Sequence, residues 1–161
     1  MRTKSALKNN QAVRATVPYS TAQRVGVLFT VEDEQKHSLI KDFIARLTND
    51  GKQVQVLEFL PKKKDNPEFK FDFFSMQDLS FWGKVNNDRV NEFAKINFDY
   101  LFNIDTQANP FIQNILANSR AHCRVGRYDE ASTEFYELMI ETNGTTQGLI
   151  DNMYSYTKKL H

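Results

Sequence analysis

Cysteine, tryptophan, long apolar runs and N-terminal acids are what this 161-residue chain has least of. One cysteine, Cys123, excludes an internal disulfide and a multi-thiolate metal site. No apolar run approaches the roughly 20 residues that cross a bilayer. The basic N-terminus, MRTKSALKNNQAVRATVPYS, lacks the apolar segment of a secretory signal. The expectation is a cytoplasmic protein without membrane association. The first apolar run is followed by TVEDEQ rather than GxGxxG, and no GxxxxGK[ST] occurs. Acids at a helix start repel phosphate, so both common nucleotide fingerprints are lacking and no cofactor is expected. The histidines, His37, His122 and His161, have no ligand spacing, so no metal is expected either. His122 and Cys123 are adjacent on a strand and point to opposite faces, which rules them out as a base–nucleophile pair. With no catalytic set in view, the reading leans away from an enzyme.

What is present is an ordinary globular composition, 40% apolar and 25% charged, of single-domain length. The 13 phenylalanines predict a dense aromatic core. Net charge is +1, yet residues 1 to 31 carry Arg2, Lys4, Lys8, Arg14 and Arg24 and no acid. Lys62, Lys63 and Lys64 form a second basic cluster.

Residues 1–22 show neither helical nor strand periodicity and read as a basic flexible arm before a single α/β domain, 23–161. RVGVLFTV (24–31) is a β-rich run of the kind buried on both faces. From Glu34 a stripe of Leu39, Ile40, Phe43, Ile44 and Leu47 predicts a helix, stopped at Asn49-Asp50-Gly51. QVQVLEFL (53–60) completes a β-α-β unit with parallel strands. FKFDFF (69–74) alternates like a short strand. Asn86 or Asn87 caps a short helix, and FDYLFNI (98–104) is a further strand. Asn109-Pro110 reads as N-cap and N1 of another helix. AHCRVG (121–126) and EFYELMI (134–140) are read as two more strands, the second antiparallel through a turn at 128–132. A last helix carries Leu149, Ile150, Met153 and Leu160. The expected fold is a three-layer Rossmann-like or flavodoxin-like domain, its sheet of about five strands mainly parallel with one antiparallel edge.

The ordered set VGVLFTVEDEQKH, QVLEFLPKKK, DLSFWGK, FDYLFNID and CRVGRYDE resembles an uncharacterised family of short α/β proteins from Bacteroidota, a domain of unknown function. The resemblance implies a fold and a lineage and carries no activity. Residues 98–127 are also similar to the strand-helix-strand unit in the N-terminal half of heptosyltransferase-type glycosyltransferases. Those enzymes need two such halves, and this chain has room for one.

Three sets of residues are candidates for function. Glu32, Asp33, Asp105, Thr106 and Asn109 follow strands at the carboxyl rim of the sheet, where open α/β sheets take ligands; the alternative reading is a small-molecule pocket there. Phe81 and Trp82, beside Gly83, are a candidate protein contact, including a homo-oligomeric one. Arg2, Lys4, Lys8, Arg14 and Lys62 to Lys64 are candidate contacts to an anionic partner, RNA or a ribonucleoprotein, through phosphate rather than base sequence. The leading expectation is therefore a non-enzymatic binding or accessory protein.

Overall fold

A computed structural model describes residues 3–61, 71–75, 78 and 87–161. The elements run α1 (Thr3–Asn9), β1 (Arg24–Thr30), α2 (Glu34–Asn49), β2 (Gln53–Leu60), β3 (Asp72–Ser75), α3 (Asp88–Lys95), β4 (Tyr100–Asn103), α4 (Pro110–Asn118), β5 (Cys123–Arg127), a 3-10 turn (Glu130–Phe135), β6 (Leu138–Ile140) and α5 (Thr146–Lys158). Among the described residues six strands join one sheet in the order β3-β2-β1-β4-β5-β6, and every neighbouring pair is parallel. That is the strand order of doubly wound dinucleotide-binding domains.

The helix starts follow from local chemistry. Asp33, Asn87 and Asn109 accept bonds from the first free amides of α2, α3 and α4, and Pro110 occupies N1 of α4. Gly51 leaves α2 at φ 84°, the left-handed conformation that ends helices. Side-chain alternation along the strands then sorts two cores. Val25, Val27, Phe29, Tyr100, Phe102 and Val125 face α2 and α5; Leu28, Leu57, Phe59, Phe74 and Leu101 face α3 and α4. Phe29, Phe43, Phe74, Phe98 and Phe102 are among the largest fully buried side chains, as the phenylalanine content predicts.

Two expectations are corrected. The sheet has six strands rather than about five, and its edge strand β6 is parallel, with Val125 opposite Leu138 and Arg127 opposite Ile140. Residues 134–140 are not one strand, since Glu134 and Phe135 close the 3-10 turn. The Asp129 carboxylate accepts from Ala131 N and Ser132 Oγ, coiling the chain after β5 instead of reversing it. Residues 128–137 thus carry the chain back to the start of β5, and Tyr136 lies across Gly126. A spacing that looks like a hairpin in sequence is a short crossover in space.

Residues 3–22, which show no periodicity, lie against the domain. Helix α1 rests on α4, joined by Asn114 Nδ2 to Thr3 Oγ1 at 3.1 Å. Asn10 Nδ2 caps the end of α4 by donating to Ala117 O at 2.8 Å and Ser119 O at 2.9 Å. Further on, Ala15 N donates to His122 O, the Tyr100 hydroxyl to Val17 O, and Tyr19 to Asp50. These bonds run along the amino-terminal edge of the sheet, opposite the ligand rim of doubly wound folds.

Candidate functional site

At the carboxyl rim, four of the five expected residues are drawn into the fold's own bonds, and two of them, Glu32 and Asp105, face a cation. Asp105 is 5% exposed; its oxygens accept from Thr30 N at 2.8 Å and Thr30 Oγ1 at 2.9 Å. Lys36 Nζ, on the first turn of α2, stands 2.8 Å from the same carboxylate and 3.3 Å from Glu32. Asp33 is occupied as N-cap of α2. Asn109 caps α4 and reaches across to Thr30 Oγ1 at 2.9 Å. Thr106 sits half-buried in the loop after β4. The expected acid rim is therefore a hydrogen-bonded knot, partly neutralised by Lys36, tying β1, α2 and the start of α4 together. Lys36 was missed because a lysine two residues into a helix reads as solvated; its signal is the i,i+4 spacing from Glu32.

Beside this knot, Asn103 Nδ2 donates to the Tyr136 hydroxyl at 2.8 Å. Burial, the largest influence, pushes that hydroxyl up to about 12. Asn103 Oδ1 has no hydrogen-bond partner among the described residues. The crevice here, between Asp105, Gln113, Arg127 and Asp129, encloses about 10 Å³.

The opposite edge holds a larger opening. A cleft of about 630 Å³ lies between α1, the segment after it and the end of α4, lined by Lys4, Lys8, Arg14, Arg124 and Glu134. Lys4 and Lys8 are one helical turn apart and share a face of α1. Arg14 enters the same cleft because the chain is pinned on either side of it, at Asn10 and at Ala15. Its guanidinium donates to Ala121 O at 2.5 Å. Arg124, 5% exposed, is held by Glu137 through Nε at 2.8 Å and Nη2 at 2.6 Å, with Nη1 on Leu116 O. Burial lowers the Arg14 pKa, the Arg124 charge lowers it further, and Glu137 only partly opposes them. The Glu137 carboxylate is thus engaged by Arg124, not by Arg14. Among the described residues, neither Lys4, Lys8 nor Arg14 forms an ion pair.

Arg2, Lys62, Lys63, Lys64, Phe81 and Trp82 lie outside the described residues. Arg124 lines the same cleft as Arg14. No described helix is long and apolar enough to cross a membrane.

No match is found among curated proteins. A family model does match, over residues 1–160, so the match takes in α1 and the cleft-forming segment as well as the sheet. The chain belongs to that family, a family of unknown function (DUF6913).

Proposed function

We propose that this chain is a non-enzymatic, cytoplasmic accessory protein that binds RNA through the cationic cleft beside α1. The observation that carries the reading is the convergence of Lys4, Lys8 and Arg14, none of them ion-paired among the described residues, on one cleft of about 630 Å³ whose lining also holds one acid, Glu134. Unpaired cations attract phosphate, and a half-buried guanidinium supplies several donors in a fixed fork. Lys4 and Lys8 are separated by about 6 Å of helix rise, a step that suits successive phosphates of one strand. The carboxyl rim, where Rossmann-like domains take ligands, favours the small-molecule alternative less, because Asp105, Asp33 and Asn109 are already engaged within the fold.

The test is fluorescence anisotropy of a labelled single-stranded RNA across a salt series. Each neutralised phosphate contributes about −0.7 to the log–log slope, so three cations predict a slope near −2. Lys4→Ala with Lys8→Ala removes two exposed cations and flattens the slope by about 1.4. A salt-independent affinity, an unchanged double variant, or equal competition by polyglutamate of matched charge each refutes the reading.

A further inference from the structure

Helix α1 separates two clefts. On the far side from Lys4 and Lys8, a second opening of about 570 Å³ lies between α1, α3 and α4. Its floor is apolar, from Val90, Ala94 and Ile115, all of them buried. Its rim is carboxamide: Asn9 from α1, Asn91 from α3, Asn114 and Asn118 from α4, with Lys95 the one charge. Three of these amides donate through Nδ2 within the fold, Asn9 to Ser5 Oγ, Asn114 to Thr3 Oγ1 and Asn118 to Asn114 O. Among the described residues their Oδ1 atoms accept no hydrogen bond, and the Asn91 side chain makes none.

We infer that this carboxamide cleft is a nucleobase site that takes bases carrying an exocyclic amine, adenine above all, from the strand whose phosphates occupy the cationic cleft. The inference rests on the RNA reading and adds what the strand presents to the protein. A single strand carries charge along one side and flat, hydrogen-bonding rings along the other. The two clefts offer the matching pair of environments, cationic on one flank of a short helix and amide-rimmed over an apolar floor on the other. Val90, Ala94 and Ile115 meet the ring face, which needs no polar partner. Carboxamide oxygens then accept from the base amine, and a free carboxamide such as Asn91 pairs in two bonds with an edge that sets an amine beside an acceptor, the pattern of adenine. Uracil offers a single ring N–H between two carbonyls; Asn9, Asn114 and Asn118, their Nδ2 groups already used, set only acceptors against those carbonyls and so favour an amine-bearing base.

The experiment compares oligo(A) with oligo(U) of equal length, hence equal charge, on the full chain at fixed salt. The expected result is tighter binding of oligo(A) by roughly fivefold or more, the low end for one two-bond amide–base pair. Asn91→Ala with Asn118→Ala, both exposed positions, removes that preference while oligo(U) binding and the thermal midpoint stay put. Equal binding of the two homopolymers, or a preference that persists in the double variant, overturns the inference and leaves the RNA reading standing. Binding of neither homopolymer overturns the RNA reading itself.

Discussion

Replacing Lys36 by methionine separates charge from packing at the carboxyl rim. Lys36 and Asp105 are both buried, 3% and 5% exposed, and 2.8 Å apart. Coulomb attraction at that distance is about 6 kcal/mol at an effective dielectric of 20, and much of it offsets the cost of drying both ions. Removing one partner is different, because the other charge stays behind; such losses run about 3–5 kcal/mol. Asp105 keeps the two bonds from Thr30, and Glu32 is nearly half exposed and can rehydrate, so the low end applies. The expected cost of Lys36→Met is about 3 kcal/mol. With a urea slope of about 2 kcal/mol/M, the midpoint falls by roughly 1.5 M. Adding Asp105→Asn removes the stranded charge while keeping an acceptor for Thr30 N, and the double variant returns to within about 1 kcal/mol of the parent. Urea unfolding followed by circular dichroism at neutral pH reads both. A single variant costing under about 1 kcal/mol would refute the claim of a confined charge. A double variant no better than the single would show that packing, not charge, was lost.

Two more outcomes follow from the core. A Cβ on Gly126 would overlap the Tyr136 ring, so Gly126→Ala displaces that ring and its bond with Asn103; the expected loss is about 3 kcal/mol, or roughly 6–12 °C in Tm by calorimetry. Coupling with Tyr136→Ala checks the cause, since the pair should cost less than the sum of the singles. Burial, reinforced by Glu137 and opposed by Arg124, pushes the Cys123 thiol from 9.0 up to about 12. Below pH 9 the thiol is protonated folded or unfolded, whereas between 9 and 12 only the unfolded chain loses the proton, so stability falls as pH rises through that window. The parent should lose about 1.4 kcal/mol more than Cys123→Ala between pH 8 and 10 in urea melts, and identical pH profiles would contradict the burial.

Much of the architecture is written in local chemistry. The apolar run at 24–31, the stripe through Phe43 and the stop at Gly51 specify the parallel β1-α2-β2 unit from within sixty residues. Asn87, Asn109 and Pro110 mark helix starts because a side-chain oxygen meets its own backbone amides whatever the rest of the chain does. The edge of the sheet is not written that way. Whether residues 128–137 turn back as a hairpin or cross over depends on Asp129 capping a 3-10 turn and on Tyr136 finding the bare face of Gly126. Helix α1 escapes notice because seven residues are too few to show a period, and its partner, α4, lies a hundred residues away.

The same division holds for the sites. The acids at the rim and the cations of the N-terminal segment are visible as residue types at element ends, and the sequence alone determines that both exist. Which set is open to a partner was decided only by the tertiary structure. Charge in a folded chain is defined by what stands opposite it: Lys36 closes over Asp105 and Arg124 over Glu137, while Lys4, Lys8 and Arg14 line one cleft with no ion pair among the described residues.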